Sequence, residues 1–129
     1  MRKLLLDTHI VLWSAREPER LSASVAAALE DEGNQLWYSP ISVWEVLILA
    51  EKGRITHVDK NRARFVERLF EGLREAPLNT HVAIASRTVQ LPHPDPADRF
   101  IAATAQVYDL TLVTADAKLV AAPGIQLFR

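Results

Sequence analysis

The sequence predicts an α/β fold, a short and mostly parallel sheet covered by helices on both faces, and three observations predict it. Short apolar runs at 3–6, 35–39, 110–113 and 125–127 are each bounded by polar or turn-forming residues, as buried strands are. Helix-start signals lie between them: Ser22, Ser39 and Asp95 as capping residues, with Pro40 and Pro96 at first helical positions. Strands separated by helices cannot pair as hairpins, so they align in parallel, and apolar parallel strands require cover on both faces.

In chain order, Lys3 to Leu6 forms the first strand, closed by Asp7, and Thr8 caps a helix through Ser14 that stops at Arg16-Glu17-Pro18. Ser22 caps Ala23 to Asp31, which ends at Gly33-Asn34. Gln35 to Ser39 is a second strand. Pro40 to Lys52 is a helix stopped by Gly53. Asn61 to Arg74 is amphipathic, with Phe65, Val66, Leu69, Phe70 and Leu73 on one face. Pro77 ends it, and Leu78-Asn79 leads into a helix reaching Val89. Asp95-Pro96 opens a helix to about Val107, Leu110 to Val113 is a strand, Ala115 to Ala121 a short helix, and Ile125 to Leu127 the last strand.

A chain of 129 residues fits one domain, 1–129, with about two thirds of its unfolded surface buried. No apolar run approaches the roughly 20 residues of a membrane span, and Asp7 cuts the Met1 to Leu6 segment too short for a signal peptide. With no cysteine there is neither a disulfide framework nor a thiolate metal site, so a cytoplasmic location is expected. The net charge of -1 argues against a uniformly basic nucleic-acid binder. Locally, however, Lys52, Arg54, Lys60, Arg62 and Arg64 face only Asp59 within their stretch. They are candidates to hold an RNA backbone, unless they form a solvated face paired with Glu67, Glu71 and Glu75.

Asp7, Glu45, Asp98 and Asp116 are carboxylates beside apolar segments, where a charge is costly unless paired or bound to metal. Asp7 and Asp116 follow strands, and the carboxyl edge of an open α/β sheet is where ligands bind. Asp98 is in the first turn of its helix, and Glu45 interrupts the apolar stretch 41–50. Four converging acids without a cysteine or histidine cluster would suit Mg²⁺ or Mn²⁺. Each also has a structural explanation: capping for Asp98 and Asp116, strand termination for Asp7, an arginine pair for Glu45. Asp95 is assigned to capping and to a pair with Arg99. Thr8, Ser42 and Thr114 are small hydroxyls near the acids that can support them. His9 is two residues from Asp7, whereas His57, His81 and His93 follow no metal spacing. Trp13, Trp37 and Trp44 are expected in the core or an interface.

Leu4-Leu5-Leu6-Asp7-Thr8-His9, Ser42-Val43-Trp44-Glu45-Val46, the segment Asp95 to Ala105, and Leu112-Val113-Thr114-Ala115-Asp116 together resemble the ordered motifs of PIN domains. The resemblance is closest to VapC-type ribonuclease toxins of bacterial toxin–antitoxin pairs and covers nearly the whole chain. It implies a three-layer α/β/α PIN-like fold, with Asp7, Glu45, Asp98 and Asp116 as metal-binding acids for one or two Mg²⁺ or Mn²⁺ ions. It further implies metal-dependent cleavage of RNA, a homodimer or higher oligomer, and a VapB-type antitoxin partner. Two other readings compete. An inert PIN-like module would bind RNA or protein without cutting. A receiver-type phosphoacceptor domain would need an early acidic pair and regular βα alternation, which residues 61–107 do not offer.

Overall fold

The computed structural model describes residues 1–91, 95–116 and 123–129. Its strands are β1 (Lys3–Leu6), β2 (Gln35–Tyr38), β3 (Arg74–Glu75), β4 (Thr111–Val113) and β5 (Leu127–Phe128). Its helices are α1 (Thr8–Arg16), α2 (Ala23–Glu30), α3 (Pro40–Glu51), α4 (Arg62–Leu69), α5 (Thr80–Thr88) and α6 (Pro96–Tyr108), with a 3₁₀ turn at Pro18–Arg20. The sheet order is β3-β2-β1-β4-β5 and every pairing is parallel. A receiver domain would run 2-1-3-4-5, so that alternative is excluded by topology.

Side chains of β1 alternate between two cores, because successive strand residues point to opposite faces. Leu4 and Leu6 pack with Ile10 and Val11 of α1, Val46 of α3, Phe65 and Leu69 of α4, and Val113. Leu5 packs on the other side with Leu112 and with Ile101, Ala102 and Ala105 of α6. Leu4, Leu5 and Val113 are wholly buried, and the sheet is therefore the middle of three layers. Val25 and Phe70 belong to the first core, not to a free surface.

Capping chemistry sets most helix starts. Ser22, Ser39, Asn61, Asn79 and Asp95 each accept a backbone N–H from the first turn that follows. The cap of α1 differs from expectation: it is Asp7, not Thr8, whose side chain accepts from the Ile10 N–H. Gly53 ends α3 in the left-handed region (φ 68°), a conformation that costs glycine nothing.

Three further expectations change. The amphipathic run from Asn61 does not continue to Arg74. Helix α4 ends at Leu69, Gly72 turns the chain at φ 83°, and Arg74–Glu75 becomes an edge strand on β2. The last strand is shifted to Leu127–Phe128, where Leu112 and Val113 provide its pairing partners. Arg99 does not pair with Asp95. Its guanidinium donates to the carbonyls of Ser86 (2.9 Å), Val89 (3.1 Å) and Leu91 (3.2 Å), tying the end of α5 to α6. A planar fork with five donors can serve three carbonyls at once, which no single carboxylate pair would require. The expected helix from Ala115 to Ala121 falls largely outside the described residues, and 115–116 are not helical.

Candidate active site

The sheet order reverses at β1, with β2 on one side and β4 on the other, so a crevice opens beyond the carboxyl ends of β1 and β4. Asp7 sits in that crevice. Its backbone N–H continues the ladder to the Val113 carbonyl (3.1 Å), and one carboxylate oxygen caps α1. The other oxygen accepts the Thr114 hydroxyl at 2.5 Å. Thr114 in turn accepts the Asp116 backbone N–H at 2.9 Å. One buried threonine thus fixes Asp7 and the chain at Asp116 together.

A second line approaches from α3. Glu45 Oε1 accepts the Thr8 hydroxyl at 2.5 Å, and the Thr8 and Ser42 oxygens are 2.9 Å apart. Thr8 has a single hydroxyl proton, and it serves the carboxylate, so Ser42 must donate to Thr8. Ser42 and Thr8 are buried, and Glu45, one turn above Ser42, is half-buried. Helix α6 leads into the parallel strand β4 and so runs against the strands, which puts its first turn at the same carboxyl edge. Asp98, half-buried, is in that turn.

The electrostatics agree with a gathering of negative charge. Burial holds the Asp7 carboxyl above its ordinary range, despite the Thr114 and Ile10 hydrogen bonds that favour its ionised form. Glu45 is also raised, first by burial and then by the negative charges of Asp95 and Asp7, with Thr8 and His9 opposing. Neither acid has a lysine or arginine ion pair among the described residues. Asp95 caps α6 as expected, yet it also lies within electrostatic reach of Glu45, and His9 within reach of both Asp7 and Glu45. No spacing rule pointed to that role for Asp95, since it depends on how α6 meets α3.

The four acids share an edge without forming one closed shell. Among the described residues, no three His, Cys, Asp or Glu side chains stand close enough to hold a single ion together. What fits a cation here is a carboxylate, Asp7, that is 7% exposed, raised by burial, and provided with neutral hydrogen-bond donors from Thr114 and Ile10. A buried acid in that setting is a site candidate with a physical rationale.

The basic stretch divides. Arg62 donates to the Asp59 carbonyl (3.0 Å) and Arg64 pairs with the Asp59 carboxylate (3.6 Å), so both brace the turn before α4. Lys52, Arg54 and Lys60 are exposed and make no ion pair among the described residues, and the pairing with Glu67, Glu71 and Glu75 does not form there. Trp37 packs against the second core and Trp13 against the first, but Trp44 is 54% exposed.

Comparison with known proteins gives the family from sequence and a shared fold from shape. The PIN-domain profile matches residues 4–125. Ribonuclease VapC22 of Mycobacterium tuberculosis is 35% identical over 120 residues, covering 92% of this chain and 91% of that protein. The fold superposes on a DNA-bound VapBC from Salmonella typhimurium with a TM-score of 0.74 at 20% identity, covering 99% and 98% of the two chains. It also superposes on FitAcB from Neisseria gonorrhoeae, with a TM-score of 0.63 at 26% identity over 98% and 96%.

Proposed function

The chain belongs to the PIN-domain family, and on that footing we propose that it is a metal-dependent endoribonuclease, the toxin of a VapBC-type toxin–antitoxin pair. The observation that carries this reading is Asp7: a buried carboxylate, without a lysine or arginine ion pair among the described residues, held by Thr114 at the point where the strand order reverses. The similarity to Ribonuclease VapC22 supports the substrate class, and the likeness to VapBC complexes supports an antitoxin partner of VapB type.

Asp7, Asp98 and Asp116 are the proposed holders of one or two Mg²⁺ or Mn²⁺ ions, with Glu45 completing the shell directly or through water. Such a cation would neutralise the scissile phosphate and acidify a coordinated water. The chain's own part is orientation. Thr114 directs Asp7 Oδ2, Thr8 directs Glu45 Oε1, and Ser42 directs Thr8. Lys52, Arg54 and Lys60 are left to receive the RNA backbone, while Arg62 and Arg64 contribute through the turn that they brace. Exposed Trp44 and Ile84, 54% and 60% accessible, are apolar surface that supports assembly as a homodimer and with an antitoxin. No helix among the described residues is long and apolar enough to cross a membrane.

Purified chain supplied with Mg²⁺ or Mn²⁺ is expected to cleave RNA, and Asp7→Asn to lose at least about a hundredfold in rate. Undiminished cleavage by that variant would overturn the mechanism. One observation favours a second reading, the inert RNA- or protein-binding module: the described acids do not close on a single point. Calorimetry with Mn²⁺ separates the two, because an inert module takes up no ion.

A further inference from the structure

A cleft of about 570 Å³ lies between α1, the end of α3 and the segment 54–57. On α1, His9, Trp13 and Arg16 follow the i, i+4, i+7 spacing of one helix face, and all three line it. On α3, Leu49 lies one turn beyond Glu45 and forms part of the floor with Leu12 and Ile55. The cleft therefore begins at His9, beside the acids, and runs outward between the two helices that carry Asp7 and Glu45.

Its chemistry is cationic and aromatic. Arg16, Arg20 and Arg54 line it with His9 and His57, and Glu17 is the one carboxylate among its lining residues. Arg54 makes no ion pair among the described residues. The Arg20 guanidinium lies 4.5 Å from the centre of the Trp13 ring, held otherwise by a half-exposed pair with Glu17 at 3.2 Å. Exposed pairs of this kind are weak, so Arg20 can swing away at little cost. Arg16 donates to the Thr56 carbonyl and fixes the outer wall. Helix geometry puts Trp13 about 6 Å along α1 from His9. A stacked strand advances about 3.4 Å per nucleotide, so Trp13 stands roughly two nucleotide steps from His9.

We propose that this cleft is a nucleotide subsite: a base near the cleaved bond stacks on Trp13, with Arg20 moving to the far face of the base and Arg54 meeting a phosphate. The proposal rests on the ribonuclease reading. A ring already paired with an arginine accepts a base in the same geometry, and single-stranded RNA is recognised by such stacking. An acidic protein segment would satisfy the arginines but would have no use for His9, the lining residue that lies within electrostatic reach of Asp7 and Glu45.

The test uses the full chain with a single-stranded RNA oligonucleotide, and measures both cleavage and, in chelator, binding. Trp13→Leu is expected to weaken binding and raise KM by roughly 10- to 100-fold, and Trp13→Phe to recover most of that. An abasic nucleotide within about three positions of the cut should cost the wild type a similar factor and cost Trp13→Leu almost nothing more, because the two changes remove one contact. Additive losses, or unchanged RNA binding by Trp13→Leu, would overturn the subsite. So would a Trp13→Leu defect confined to association with a co-expressed partner protein, which would make the cleft a protein-docking groove. A wild-type chain that binds RNA in this base-dependent way but never cuts it with Mn²⁺ would sink the ribonuclease reading and leave the subsite standing.

Discussion

Asp7 does two jobs with opposed requirements. Its carboxylate caps α1 and accepts from Thr114, which favours ionisation, while burial opposes it and wins. A raised folded pKa means that the native chain holds more protons than the unfolded one between the ordinary carboxylate range and the raised value. Stability of the ion-free protein is therefore expected to fall as pH rises through that window and to level off above it. Asp7→Asn should flatten this slope, with Glu45 contributing the remainder, and should melt above the wild type at pH 7 in chelator but not at pH 3. Thermal melts across pH check this; a variant less stable at neutral pH would show that the cap outweighs the buried charge. Thr114→Val removes both the donor to Asp7 and the acceptor for Asp116 N–H. It is expected to lower RNA cleavage about 10- to 100-fold, as loss of a residue orienting a metal ligand does, with circular dichroism unchanged.

Between residue and fold stands the joint of α5 and α6. Arg99 satisfies three carbonyls where α5 ends, so it acts as a clamp on the helix that carries Asp98. Arg99→Lys cannot reproduce the fork and is expected to cost about 2–4 kcal/mol by urea denaturation, since charge-assisted bonds are lost and carbonyls are left unpaired. A loss below about 0.5 kcal/mol would deny the clamp. The same joint shows what the sequence could and could not tell. Ser22, Ser39, Asp95, Pro40 and Pro96 act locally, within one turn, and their helix starts were legible. Arg99 four residues after Asp95 looks like a helix ion pair, but its real partners lie on another helix. Strand β3 was illegible for a related reason. Residues 74–75 pair with only the two residues Trp37 and Tyr38, too short a segment for periodicity to register.

For the assembled fold, the four acids were legible as misfits because each lies beside apolar residues. Their common edge follows from the β3-β2-β1-β4-β5 order, which no single motif contains. The cleft lined by Trp13 and Arg54 was not legible either, since it joins residues brought together by the packing of α1 on α3. If the carboxyl edge holds a divalent ion, relief of buried repulsion should appear as global stabilisation. The melting temperature is expected to rise with the logarithm of Mn²⁺ concentration, by about 2.7 kcal/mol of stability at a hundred times Kd, and the response should vanish in Asp7→Asn. A flat response in the wild type would count against a resident ion.

The bond from Thr114 to Asp7 spans 107 residues of chain. During synthesis Asp7 emerges 107 residues ahead of its donor. A chain that stops short of Thr114 can form the cap on α1, yet it cannot assemble this corner of the site. Any product truncated before residue 114 therefore lacks the hydroxyl that holds Asp7 in the candidate site. This corner of the candidate site is thus built only once the chain has reached Thr114.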